Sequence, residues 1–311
     1  MSNTKDSTFY TIEESEIKSL KDLNNYIKDL TKEKWAYRAQ PSTYPLQTTF
    51  ERECLKSGIP EEERAKVEEE MIRQFKRAYD GIDRQDVISD TLYCISLMRH
   101  YGAPVRLLDF TYSNEIVKYF ALEEAYNNVP RHDNGPSTEV DYSKPRDFSI
   151  WSMDTGALLE QLEMQEDKWE ITSLMKKREK YDEKRKDSTF KRLYLEKSFC
   201  FVSWENPIKQ HERLRLQQGV FLCPGDITKP FMENLRACYT EGKTDKIRMV
   251  KCSLQPDEIQ KGLEECGKMN ISRESLFPGL DGFASAMSYQ VGFFQNLYKW
   301  RNAPRNLPHI A

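Results

Sequence analysis

Between residues 13 and 31, Ile17, Leu20, Leu23, Tyr26, Ile27 and Leu30 recur every three or four positions among charged residues. That period predicts an amphipathic helix laid on a core. Trp35-Ala-Tyr-Arg-Ala39 changes to a period of two and predicts a short strand, ended in a loop by Pro41 and Pro45. The helical period returns from Pro60 to Tyr79, with Pro60 at the start, Glu61–Glu63 suited to the N-terminal dipole, and Val67, Met71, Phe75 and Ala78 on one stripe. A further helix is expected over Thr91–Met98. Gly102 and Pro104 break it, and Arg106-Leu-Leu-Asp-Phe110 reads as a short buried strand.

Ser113 or Asn114 can cap the next helix, whose buried face carries Ile116, Val117, Phe120, Ala121 and Ala125. Residues 127–146 read as an exposed loop, and Phe148–Met153, Ser198–Trp204, Gly219–Cys223 and Ile247–Leu254 as strands. Pro256 opens a helix that Gly267 can close, and Phe283–Phe294 is the last periodic stretch. Helices and strands mix without a repeat or a strong composition break, so the expected class is α+β.

Composition sharpens this picture. Hydrophobic residues make up 38% and charged residues 31% of 311, and the 15 Phe, 16 Tyr and 5 Trp exclude a disordered chain. A net charge of −3 excludes a uniformly basic nucleic-acid binder but not a local basic groove. Lys176–Arg192 is such a local excess, nine Lys/Arg against four Asp/Glu, readable as a solvated helix or as a phosphate-attracting rim. The seven cysteines are odd in number and widely spaced, and the four histidines lack metal-ligand spacing. Reduced core thiols and no metal site are expected. With no signal-peptide core at Met1–Asp6 and no apolar run of about 20 residues, a cytoplasmic protein without membrane contact is expected.

Several segments together resemble one family. Tyr37-Arg-Ala-Gln40 is similar to the Tyr/Phe-Arg-Gly-Gln signature of FRG domains. His100-Tyr-Gly-Ala-Pro-Val-Arg-Leu-Leu-Asp-Phe-Thr111, followed by Val117-Lys-Tyr-Phe-Ala121, resembles the family's longest motif. Arg213-Leu-Arg-Leu-Gln-Gln-Gly-Val-Phe221 resembles its third, and Leu276-Phe-Pro-Gly-Leu-Asp-Gly282 its closing segment. Ala39, Arg99, Val105 and Phe110 depart from the family's Gly, Gln, Thr and Trp, and a positive φ at Ala39 would be costly. The layout resembles, more distantly, the ADP-ribosyltransferase superfamily. That resemblance implies a mixed β core with flanking helices over residues 35–290, an N-terminal helical segment (1–34) packed on it, and a C-terminal tail (291–311).

The same resemblance implies an enzyme that cleaves NAD and transfers ADP-ribose to a macromolecule. Nucleic acid, RNA above all, is the favoured acceptor, in a toxin–antitoxin or phage-defence setting with an antitoxin protein as partner. The implied catalytic residues are Arg38, Thr111, Gln217 and Gln218. The implied NAD-binding set is Arg38, Gln40, His100, Tyr101, Arg106, Tyr112 and Ser113. The chemistry is consistent with these types: a guanidinium grips phosphate bidentately, a tyrosine stacks on nicotinamide, and a helix N-terminus and an amide hold phosphate and ribose.

Plainer readings stand beside these. Arg38 could pair with Asp109 or Glu115, Arg106 and Asp109 could brace each other, His100 could serve a helix end, and the two glutamines could form an amide ladder with opposite faces of a strand. An NAD glycohydrolase and a non-catalytic nucleotide- or protein-binding module are the alternative functions. The strand position where acceptor-modifying transferases commonly carry Glu offers only Gln217-Gln218.

Overall fold

The computed structural model describes residues 9–13, 16–30, 35–129, 141–163, 170–173, 187–196, 199–239, 244–288 and 291. Lys176, Lys177 and Arg178, most of the basic run, and the tail after Val291 lie outside the described residues.

Seven strands form one sheet: β1 (Tyr10–Ile12), β2 (Trp35–Gln40), β3 (Leu108–Thr111), β4 (Arg146–Asp154), β5 (Val202–Glu205), β6 (Gly219–Pro224) and β7 (Thr244–Leu254). Their order is β1-β7-β4-β2-β3-β6-β5. β1 runs parallel to β7, and the other neighbouring pairs are antiparallel. The helices are α1 (Leu20–Leu30), α2 (Thr49–Lys56), α3 (Arg64–Ala78), α4 (Arg84–Ser89), α5 (Thr91–His100) and α6 (Asn114–Asn127). After them come α7 (Ala157–Glu163), α8 (Asp187–Lys191), α9 (Glu212–Leu216), α10 (Phe231–Arg236), α11 (Pro256–Lys268) and α12 (Arg273–Leu276). The fold is mixed α+β, with helices flanking a mixed sheet.

Both faces of the sheet are covered, and the period of two assigns residues to each. On β7, Ile247 and Met249 enter one core with α5, while Val250, Cys252 and Leu254 enter a second with α1, α6 and α11. Trp151 and Met153 of β4 face the first core, Phe148 and Ile150 the second. Helix α6 is anchored by Ile116, Val117, Ala121 and Leu122, all at most 4% exposed. Each large aliphatic among them contributes about 1.5–3 kcal/mol by burial. Ser113 starts α6 by accepting from the Ile116 amide at 3.2 Å.

Three sequence readings change here. Residues 13–31 are not one helix: Tyr10–Ile12 form an edge strand, Ile17 bridges to Cys252, and the helix begins at Leu20. The apolar spacing is the same, but Ile17 faces the core from extended backbone. Arg106 does not brace Asp109: its guanidinium, 1% exposed, pairs with Glu68 of α3 and donates to the Tyr194 carbonyl at 2.8 Å. Gln217 and Gln218 are not on a strand. They form the turn between α9 and β6, with Gln217 as the C-cap and Gln218 at φ 44°. Ala39, by contrast, sits in ordinary strand backbone paired with Ile150, so the family's glycine is replaced without strain.

All seven cysteines are thiols, six of them buried and Cys200 half-buried. Among the described residues no helix is long and apolar enough to cross a membrane, and no cluster of three or more His, Cys, Asp or Glu could hold a metal ion.

Candidate functional site

The site begins with a split in the sheet. β2 pairs with β4 over six residues, from Trp35↔Asp154 to Gln40↔Ser149, but with β3 only at Tyr37↔Thr111. Beyond that pair the two strands part. Arg38 fills the gap: its Nη1 donates to the Asp109 carbonyl oxygen at 2.9 Å, while its Nε is buried with no hydrogen-bond partner.

A cavity of about 260 Å³ opens here. From the end of α5, Arg99 reaches across to Asp109 with Nη2–Oδ2 at 2.6 Å and Nε–Oδ2 at 2.8 Å. From α6, Phe120, Glu123 and Glu124 line the cavity together, because positions i, i+3 and i+4 share one helix face. From α9 comes Arg213, from the turn after it Gln217, and from α12 Arg273, with Phe277 just beyond. The Arg213 and Arg273 guanidiniums each lie 4.2 Å from the Phe277 ring centroid.

Four guanidiniums thus meet three carboxylates, but the pairing is uneven. Arg99 is tied to Asp109, and Arg273 to Glu123 at 3.0 Å. Glu123 also accepts from Tyr119 Oη at 2.7 Å. Among the described residues, Arg38 and Arg213 have no carboxylate at ion-pair distance, and Glu124 has no side-chain hydrogen bond or ion pair. Burial pushes Arg38 down to about 10, against the opposing charge of Asp109, and lowers Arg213 as well. Burial would raise Asp109, yet the charges of Arg99 and Arg38 outweigh it and hold the carboxyl below its ordinary range. Glu124, at the cavity mouth, is raised by loss of water, with Arg38 opposing. A cavity with two guanidiniums that lack a carboxylate at ion-pair distance, and an aromatic wall, is suited to an anion bearing an apolar or planar part.

The sequence-predicted residues are distributed unevenly around it. Arg38, Thr111 and Gln217 line the cavity, whereas Gln218 is exposed and points elsewhere. Thr111 Oγ1 donates to the Gln217 carbonyl at 2.7 Å and accepts from the Ser113 amide at 3.0 Å, so its hydroxyl fastens β3 to the turn. Gln217 Nε2 donates to the Leu276 carbonyl at 3.1 Å, joining the third motif to the closing segment.

The NAD-binding set lies mostly outside the cavity. Gln40 donates to the Tyr44 carbonyl, Ser113 caps α6, and Arg106 is locked in its buried pair. Tyr101 is 65% exposed beside Phe75, and Tyr112 is 44% exposed. His100 packs its ring 4.7 Å from His211, whose Nδ1 caps α9 by accepting from the Leu214 amide at 3.2 Å. Burial lowers both imidazoles, His211 to about 4, with His100 and Arg213 adding to the effect there. His100 thus sits at the end of α5 against His211, outside the cavity.

Sequence reasoning missed Arg273, Glu123 and Glu124 as cavity residues. A signal for the glutamates was present, since they stand three and four residues after Phe120 of the Tyr-Phe-Ala segment. Arg273 carried none, because it approaches from a four-residue helix brought in by tertiary packing.

No curated protein and no solved structure matches the chain. The family model described as the FRG domain matches residues 33–129. That stretch supplies β2, β3, α5 and α6, and with them Arg38, Arg99, Asp109 and Glu124, so the chain carries an FRG domain and one wall of the cavity is built from it.

Proposed function

We propose that the cavity binds NAD and that the protein is an ADP-ribosyltransferase, moving ADP-ribose from NAD to a macromolecular acceptor, with RNA favoured. The observation that carries this reading is the pair of guanidiniums without a direct ion pair, Arg38 and Arg213, beside Gln217 and the Phe120–Phe277 wall. Two cations withdrawn from water suit the diphosphate of a dinucleotide, and the aromatic wall suits a planar ring. At about 260 Å³ the cavity lies just under the roughly 300–1,000 Å³ of typical ligand pockets, so it takes the diphosphate and one flank of NAD, with the rest along the open side.

In the reaction, the bond between ribose C1′ and nicotinamide nitrogen breaks, and its electron pair leaves with nicotinamide. Positive charge grows on the ribose. The acceptor then supplies the electron pair for the new bond and loses a proton. Residues of this chain contribute by fixing the diphosphate and excluding water, the terms that electrostatic preorganisation makes largest. Consumption of NAD inside a cell is harmful, which fits a toxin–antitoxin or phage-defence setting with an antitoxin partner.

The deciding experiment incubates the purified chain with NAD labelled in its adenylate part, together with RNA, single-stranded DNA or protein. Label in RNA, weakening as salt rises, is the expected result. Label only in protein moves the acceptor, and label only in free ADP-ribose turns the reading to an NAD glycohydrolase. One observation favours a non-catalytic nucleotide-binding module as the second reading: the Thr111 hydroxyl and the Gln217 amide are already held by backbone carbonyls. Binding of NAD without turnover would select it.

A further inference from the structure

We propose that a second pocket, on the side of α6 turned away from the cavity, binds a small monocarboxylate with a hydrogen-bond donor beside its carboxylate and an apolar tail. Glu115 and Lys118 share one face of α6, whereas Phe120, Glu123 and Glu124 share the opposite one. Where the first of these faces meets α1 and α11, a pocket of about 440 Å³ opens, within the usual size of a ligand site. Asn24 and Lys28 line it from α1, Glu265 and Lys268 from α11, together with Met269, the C-cap of that helix.

Two polar groups of this pocket are buried and short of partners. Lys118 lies in a run from Ile116 to Tyr119 that is buried throughout, and its side chain is 5% exposed. Among the described residues its ammonium meets Glu265 Oε2 alone, at 3.3 Å. An ammonium carries three donors, and a charge-assisted bond of full strength closes to about 2.7–2.9 Å. Glu265 therefore leaves Lys118 under-coordinated. The same carboxylate oxygen accepts from Asn24 Nδ2 at 3.1 Å, which fixes the amide with its Oδ1 buried and without a hydrogen-bond partner. A buried ammonium and a buried acceptor left open are both unfavourable. A ligand that offers an oxygen to the first and an O–H or N–H to the second relieves both at once.

Charge sets the sign of that ligand. Lys28, Lys118 and Lys268 stand against Glu115 and Glu265, an excess of one positive charge, which suits a monoanion better than a dianion or a cation. Met269 is 48% exposed, and its flexible thioether suits an apolar tail of no fixed shape. The carboxylate thus goes to Lys118, the neighbouring donor to Asn24 Oδ1, and the tail to Met269.

Ligand-observed nuclear magnetic resonance titration of the full chain tests this with leucate, the hydroxy acid bearing the leucine side chain. Isocaproate lacks its hydroxyl, leucic amide its charge, and glycolate its tail. Leucate is expected to bind most tightly of the four. Isocaproate should be weaker by about fivefold, the loss of one hydrogen bond, and leucic amide by about tenfold or more, the loss of a charge-assisted one. Lys118→Met keeps the buried stem and should weaken leucate by about tenfold or more. Asn24→Leu, which spares the lysine, should erase the preference for leucate over isocaproate. Arg213→Gln, in the cavity across α6, should leave leucate affinity unchanged. No binding of leucate, equal affinity for leucate and any of the three analogues, or full affinity in Lys118→Met or in Asn24→Leu would overturn the proposal. Lys118, Glu265 and Asn24 would then be a clamp between helices. Loss of leucate binding in Arg213→Gln would overturn it as well, by placing the probe in the first cavity.

Discussion

Arg38 Nη1 meets the backbone carbonyl of Asp109, at 2.9 Å, where β2 and β3 stop pairing. A side-chain donor thus replaces the ladder hydrogen bond that the parting strands give up. The same separation that costs the sheet a bond creates the cavity, and Arg38 belongs to both.

Arg38→Ala separates the two roles. One backbone-directed bond is lost, worth about 1 kcal/mol, so only a small fall in melting temperature is expected. Affinity for NAD is expected to drop by about tenfold or more. A large cooperative destabilisation seen by circular dichroism, with NAD affinity unchanged per folded molecule, would make Arg38 a structural residue alone.

Arg106 offers the contrast. Its pair with Glu68 is 1% and 5% exposed and ties α3 to the loop before β3. Glu68→Gln leaves a buried guanidinium without its charge partner and is expected to cost about 3–5 kcal/mol of unfolding free energy. Urea denaturation measures this. A stability loss below about 1 kcal/mol would show that the site is more solvated than its burial implies.

Acid should act through Asp109. Its folded pKa is held below the ordinary carboxylate value, about 3.9, by Arg99 and Arg38 against the effect of burial. The unfolded chain therefore binds the proton more readily. The stabilisation from this carboxylate is complete above its unfolded pKa and is lost as pH falls through the folded one. Because the Asp109 side chain is 39% exposed, solvent screening reduces the effect. Melting temperature recorded from neutral to pH 3 should fall more steeply in the parent than in Asp109→Asn, and parallel curves would exclude this carboxylate as a source of acid sensitivity.

The two adjacent glutamines should part ways. Gln217→Leu removes a donor to the Leu276 carbonyl and a polar wall of the cavity, and ligand affinity should fall. Gln218 sits exposed at φ 44°, where a side chain is strained, so Gln218→Gly should stabilise the turn by at most about 1 kcal/mol, the strain relieved less the entropy glycine adds, without changing ligand affinity. Equal binding losses at both positions would contradict the assignment of Gln217 alone to the cavity.

Gly282 lies against the backbone of Phe277. A Cβ there would collide with the Phe277 carbonyl, and backbone cannot yield as a flexible side chain can. Gly282→Ala is expected to shift Phe277, on which Arg213 and Arg273 stack, and so weaken ligand binding while the sheet stays folded. Near-ultraviolet circular dichroism and a titration with NAD would register both effects, and wild-type behaviour in both would refute the coupling.

Much of this was legible in the chain. A period of two placed β2, short apolar runs placed β4, β6 and β7, helical spacing placed α3, α5 and α6, and Pro256 opened α11, because burial writes itself into local composition and spacing. Motif order brought Arg38, Thr111 and Gln217 forward as neighbours, and all three line one cavity. The strand β1 and the short helices α9 and α12 were not legible. Three to five residues are too few to show a period, and their conformation is decided by what they pack against.

What the amino-acid sequence determined by itself, then, was the α+β class, the principal strands and helices, and the set of polar motifs from which a site could be assembled. Tertiary structure alone decided which charges are spent. Arg106 and Arg38 look equivalent in sequence, each an arginine in a motif close to a strand, yet one is closed off by Glu68 and the other faces a cavity with its Nε unpartnered. Arg213, Arg273 and Glu124 acquired their place in the same way. The physical reason is that pairing of charges depends on distance and burial across the fold, between residues as far apart as Glu123 and Arg273, and no local pattern encodes either quantity.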